Sequence, residues 1–335
     1  MKVLRFVVAV GLIALASTSC KKSNTPTPAK QVDVYVAGGI QAVNTLNNAN
    51  IACYWKSGSI VKLSDSLTAA LATGITIDQN DVYVAGYHLQ ASSGNAKAVY
   101  WKNGKEITLT DGTAWATANA IAVDNGNVYV AGDIFYPQGK SVAAYWKNGA
   151  LTVLTDGTSN ASISGIAISK GDVYLAGTDG NDGKVWKNGV AITLNRAPTS
   201  YTAVNSIVVV GSDVYVGGYD GVYGAAYWKN NNPTYLTNNY ASFTSGIAVN
   251  NDGIYVAGNI NPVNQIGQPN VWVDDVQKPL QSGYSSNIIA YGVAASGQDI
   301  YVAAEFGTYA GYWRNGVAIA LSNNASANSV AVVTH

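Results

Sequence analysis

The chain has 335 residues with 19 basic and 19 acidic side chains, and only 11 % of it is charged against 48 % hydrophobic. That composition excludes a disordered solvating chain, and the zero balance removes the basic footprint that nucleic-acid binding needs. Tyr (22) and Trp (8) outnumber Phe (4), and 35 Gly accompany them, which suits short strands and tight turns more than helices.

The first stretch is a short basic segment, Met1-Lys2-Val3-Leu4-Arg5, followed by an apolar run from Phe6 to Ala16. The run is too short to span about 30 Å of hydrocarbon as a helix. Ser17-Thr18-Ser19 then lead to Cys20-Lys21-Lys22-Ser23. This pattern resembles the lipoprotein signals of Bacteroidota, with Ser17 where Leu is usual. The resemblance implies removal of 1–19, lipidation of Cys20, a flexible Pro/Thr-rich tether over 20–31, and an outer-membrane lipoprotein facing the periplasm or the outside. An ordinary secretory signal cut near Ala16 is the alternative. Cys53 is then left without a partner, so there is no disulfide framework, and its apolar strand Ile51-Ala52-Cys53-Tyr54-Trp55 marks it as a buried, inert thiol.

From residue 32 onward one phrase recurs: Asp33-Val-Tyr-Val-Ala-Gly38, then copies starting at Asp81, Asn127, Asp172, Asp213, Gly253 and Asp299. A second phrase follows each, built on Trp55, Trp101, Trp146, Trp186, Trp228, Trp272 and Trp313, typically Tyr100-Trp101-Lys102-Asn103-Gly104. The period of about 40–48 residues predicts four-stranded propeller blades. Strand A is the alternating Ile121-Ala122-Val123 type, strand B the first phrase, strand C the Tyr-Trp phrase and strand D a short aliphatic run such as Leu151–Leu154. Gly/Asn turns join A to B, and Asn-Gly pairs (Asn103-Gly104, Asn148-Gly149) join C to D as tight hairpins. The first copy starts at strand B and the last carries a spare strand A, Ser329–Val333. Pairing 329–333 with 33–38 therefore closes a seven-bladed, all-β propeller over 32–335, four antiparallel strands to the blade. The repeats are similar to the VYVAG/YWKNG-type extracellular repeats of bacterial secreted proteins, a resemblance that implies the fold and an extracytoplasmic setting.

The B–C and D–A connections vary between copies and would emerge together around the channel mouth, where binding residues are expected. They hold Trp115, Tyr201, Tyr240 and Tyr284 (D–A) and Tyr87, Phe135, Tyr136, Tyr219, Tyr223, Phe306 and Tyr309 (B–C). Aromatic faces rimmed by Asn, Ser and Thr suit the C–H faces and hydroxyls of sugar rings. Trp115 stands out as the one Trp outside the repeat. Carboxylates Asp133, Asp220 and Glu305 follow strand B in three blades and would supply a hydrolase or lyase if they converged. His88 is read as a solvated loop residue, with catalysis or metal ligation as its alternative reading, and Glu106, past an Asn-Gly hairpin, is expected on the opposite face. Asp179-Gly180-Asn181-Asp182-Gly183 reads as a hairpin turn, and Asp65-Ser66-Leu67 resembles an O-glycosylation tripeptide of Bacteroidota. With two His and two Cys there is no three-ligand zinc set, and no cofactor motif is present. The expected protein is a monomeric, lipid-anchored binding module for a glycan or an envelope protein, with no nucleic acid as partner. The alternatives are a polysaccharide-active enzyme and a structural envelope scaffold.

Overall fold

The computed structural model describes residues 31–42, 50–136, 139–238, 241–261, 267–284 and 288–335. The predicted leader, Cys20 and Tyr240 lie outside these residues. Residues Val32–His335 form one compact unit of seven four-stranded antiparallel sheets. Among the described residues no helix is long and apolar enough to cross a membrane.

Six sheets are built from consecutive strands; blade 3, for example, runs Trp115–Asp124, Asn127–Phe135, Ser141–Lys147 and Ala150–Val153. Blade 1 is composite: the C-terminal strand Ala325–Thr334 pairs with Val32–Gln41, from Val32 opposite Thr334 to Ile40 opposite Ala325, with one shift of register between Ala37 and Gly38. The expected closure is therefore present and longer than 329–333. The innermost strands, Ala70–Asp78, Trp115–Asp124, Ala161–Ser169, Thr202–Val210, Phe243–Asn250, Ile288–Ser296 and Ala325–Thr334, pack each against the next and back to the first, which makes a ring of seven propeller blades.

The core lies between blades. Each repeat tryptophan is essentially fully buried and enters the preceding blade: Trp101 packs on Tyr35, Ala37, Tyr54 and Leu63 of blade 1, and Trp228 of blade 5 on Tyr174, Ala176 and Leu194 of blade 4. Trp55 does the same against Tyr301 and Tyr312 of blade 7, across the closure. Burying such rings, each typically 150–250 Å², is what holds neighbouring sheets together.

The rest of the repeat phrase forms a bracket on the side of the A–B and C–D turns. In blade 2, Lys102 Nζ lies 2.8 Å from Asp81 and 5.1 Å from the centre of the Tyr83 ring. Asn103, in left-handed backbone conformation, accepts the Val82 N–H at 2.9 Å and donates to Asp81 at 2.7 Å. Blades 4 and 5 repeat this with Asp172, Tyr174, Lys187, Asn188 and with Asp213, Tyr215, Lys229, Asn230.

The glycine that ends the strand-B phrase has its own cause. Each inner strand carries a bulge opposite it, and the carbonyl before that bulge points at the glycine. A Cβ on Gly132 would sit 1.9 Å from the Thr117 oxygen, and one on Gly86 2.0 Å from that of Leu71. Blade 7 has Ala304 at this position, and there the irregular stretch is wider, Tyr291-Gly292 against Ala303.

Candidate functional site

Two places on the ring are candidates for functional side chains: the lining of the central channel and the loop side. The channel encloses about 220 Å³. The bulged residue of six inner strands is a polar one (Thr73, Asn119, Ser164, Asn205, Ser245, Asn328), followed by a small residue and then Ile or Val. Five of them reach the next blade: Thr73 to Ala118 O (2.6 Å), Asn119 to Ile163 O (2.9 Å), Asn205 to Thr244 O (2.6 Å), Ser245 to Ala290 O (2.6 Å) and Asn328 to Ala72 O (2.8 Å). They stitch blade to blade, and the periodic polar-small-Ile triplet was the sequence signal for them.

On the loop side, among the described residues, an exposed aromatic group lies in blade 3. Trp115 begins the inner strand and stands directly across from Phe135, the last residue of strand B, with Tyr136 next. These are 41, 45 and 45 % exposed, which is high for large rings and leaves their faces to solvent. Tyr201 is 47 % exposed and meets Tyr219 edge-on at 5.9 Å. Tyr284, 37 % exposed, stacks on Phe306 at 5.5 Å and touches Tyr309. A recess of about 820 Å³ beside it is lined by Gln268, Gln281 and Ser282 among others. Tyr87 and Tyr219 are half-buried, and burial raises both phenol pKa values. Tyr309 is likewise only partly exposed.

The three candidate carboxylates have separate tasks. Asp220 is buried and caps a loop, accepting from the Ser200 hydroxyl (2.7 Å) and the backbone N–H groups of Ala197, Val222 and Tyr223. Asp133 accepts from Asn119 at 2.7 Å, and burial raises its pKa. Glu305 neighbours Tyr291, and burial likewise raises it. Among the described residues no three carboxylate, imidazole or thiol groups gather into a set that could hold a metal ion. Asp179 and Asp182 flank a tight Gly180-Asn181 turn and pair with Lys184 (2.5 Å) and Arg196 (3.1 Å), as expected for a hairpin. Cys53 is buried and its thiol is pushed up to about 12 by desolvation, the inert state expected.

His88 corrects the sequence reading. It lies within strand Asp81–Leu89, only partly exposed, with its Nε2 2.6 Å from the Thr68 hydroxyl and its Nδ1 3.0 Å from Glu106. Glu106 does follow the Asn103-Gly104 turn, but its side chain shares the Trp101 side of the blade and reaches His88. Strand alternation and turn position locate backbones; they carry no information on how far a long side chain leans along a twisted sheet.

The fold is that of seven-bladed propellers. No family model matches the chain, and no curated protein matches it. Solved structures do: a puromycin-hydrolyzing peptidase of Mycobacterium tuberculosis at 12 % identity and TM-score 0.58, over 87 % of this chain and 52 % of that one. A puromycin hydrolase follows at 10 % identity and TM-score 0.59, over 88 % and 52 %. The computationally designed Ika8 protein matches at 17 % identity and TM-score 0.46, over 82 % and 83 %. The chain spans about half the length of the two hydrolases. At these identities the likeness is one of fold, and a fold hosts many activities.

Proposed function

We propose that this propeller acts by binding, taking a glycan on the loop side of the ring, and that an acyl group on Cys20 anchors it to the bacterial cell envelope. The observation that carries the binding reading is the exposed group of Trp115, Phe135 and Tyr136 on one rigid blade edge. Rings held by strand pairing lose little freedom on binding, and a sugar face laid on them displaces water from apolar surface. Tyr201 and the Tyr284 recess, with its Gln268, Gln281 and Ser282 neighbours, supply further rings and amide or hydroxyl groups for sugar hydroxyls. Each such contact contributes about 1 kcal/mol, so several must act together for useful affinity.

A glycan-array screen of the chain from residue 25 onward tests this, with Trp115→Ala and Tyr201→Ala as controls. Binding that is lost in Trp115→Ala supports the reading. Binding that survives both substitutions places the site elsewhere, and no binding by folded protein turns attention to an envelope-protein partner. The anchor is tested separately, by mass spectrometry of the N-terminal peptide of protein from a lipoprotein-processing bacterial host, where Cys20→Ser should lose the lipid.

A further inference from the structure

We propose that Thr68, His88 and Glu106 form a nucleophilic acyl-transfer centre at the seam between blades 1 and 2, one that accepts small activated carboxylic esters. The internal repeats single these residues out. The positions equivalent to His88 in blades 1, 3 and 6 are Ile40, Ile134 and Ile260, and those equivalent to Glu106 in blades 1, 3 and 4 are Ile60, Leu151 and Ala191. Blade 2 thus places an imidazole and a carboxylate where apolar residues serve other blades, and the two meet at 3.0 Å although 18 residues separate them.

In blades 4 and 5 the linker before the inner strand puts a serine hydroxyl on the aspartate at the end of strand B: Ser159 on Asp179 and Ser200 on Asp220. Thr68 on His88 is the same latch with a base in place of the carboxylate. Glu106 accepts the Nδ1–H, which fixes the tautomer and leaves the Nε2 lone pair facing the Thr68 O–H at 2.6 Å. A hydroxyl, an imidazole and an orienting carboxylate in this order make up the general nucleophile–base–orienter arrangement. Thr68 is half-buried next to Leu67, which is 78 % exposed, so a small acyl donor can approach it.

The chemistry closes without any further reagent than water. Thr68 Oγ1 attacks the ester carbonyl carbon while its proton passes to His88 Nε2. The ester C–O bond breaks, and the imidazolium returns that proton to the leaving oxygen. Water then attacks the acyl-threonine, gives a proton to Nε2, and releases the acid as Thr68 recovers its hydroxyl.

The test is p-nitrophenyl acetate on the full chain, following p-nitrophenol release and mapping acetylated peptides by mass spectrometry. The expected result is acetyl on Thr68, lost in Thr68→Val, retained in Thr68→Ser, and formed about 100-fold more slowly in His88→Gln. Glu106→Gln should slow it as well, with thermal melting confirming that each variant stays folded. Acetylation confined to lysines, equal in the wild type and His88→Gln, or absent altogether would overturn the proposal and leave these residues as a latch only. Either result leaves the glycan reading standing, because none of the three residues belongs to the aromatic group.

Discussion

On the turn side of the ring, blades 2, 4 and 5 solve one problem in one way: a lysine over a tyrosine ring, paired to the aspartate that opens strand B and tied down by an asparagine turn. On the loop side the same three blades end in a histidine, a lysine-paired aspartate and a backbone-capping aspartate. The turn side has two-residue connections whose backbone admits few residues, so duplicated sequence stays uniform there. The loop side is free in length, and the stitched inner ring holds it whatever the loops contain. Uniformity marks scaffold in this protein, and departure from the repeat marks the places where chemistry can differ. The carboxylates divide similarly. The Lys102, Lys187 and Lys229 partners hold Asp81, Asp172 and Asp213 below the usual carboxylate range, whereas desolvation raises Asp133 and Glu305 near the loop ends.

The largest effects should come from the interblade tryptophans that serve both regions. Trp228→Ala should cost about 3–5 kcal/mol in a denaturant titration, as expected for removing a fully buried indole. The Phe variants sharpen this. Trp228 Nε1 donates to Asn195 O at 2.6 Å, whereas Trp101 Nε1 is buried with no hydrogen-bond partner among the described residues. Trp228→Phe should therefore cost about 1 kcal/mol more than Trp101→Phe. Equal costs would show that the indole N–H groups do not distinguish these seams.

Gly132→Ala comes next. Its Cβ must push the Thr117 carbonyl out of the bulge, and about 1–3 kcal/mol of destabilisation is expected. An unchanged unfolding midpoint would mean that the bulge adjusts freely, as it does around Ala304.

The pH dependence separates the two carboxylate sets by sign. Because folding raises the Asp133 pKa, its contribution is present below the unfolded value and is lost as pH rises through the folded one. Asp133→Asn, which still accepts from Asn119, should melt higher than wild type at neutral pH and equal to it in acid. Asp81 and Asp213 work the other way: their contribution is present above the unfolded value and lost as pH falls through the folded one. Asp213→Asn should therefore lower the melting temperature at neutral pH only slightly, the carboxylate being solvent-screened, with no difference in strong acid. The smallest stability change is expected at Trp115. Trp115→Ala should alter stability by no more than about 0.5 kcal/mol while removing glycan binding; a large loss of stability would reassign the ring to structure.

The blade count, the strand order within a blade, the Asn-Gly hairpins and the closure of 329–333 on 33–38 were all legible in the sequence. Those features depend on period, alternation and turn residues, which are local. So was the inertness of Cys53, because an apolar strand predicts burial. The sequence could mark Trp115 as the tryptophan outside the repeat, but not that Phe135 stands across from it, since register depends on where the bulge falls. Nor could it show that Asp220 spends its oxygens on loop backbone, or that Asp133 and Glu305 are partly desolvated. The meeting of Thr68, His88 and Glu106 was decided only in three dimensions. Chain position predicted opposite faces for His88 and Glu106; the twist of blade 2 and the reach of two long side chains around Trp101 brought them together.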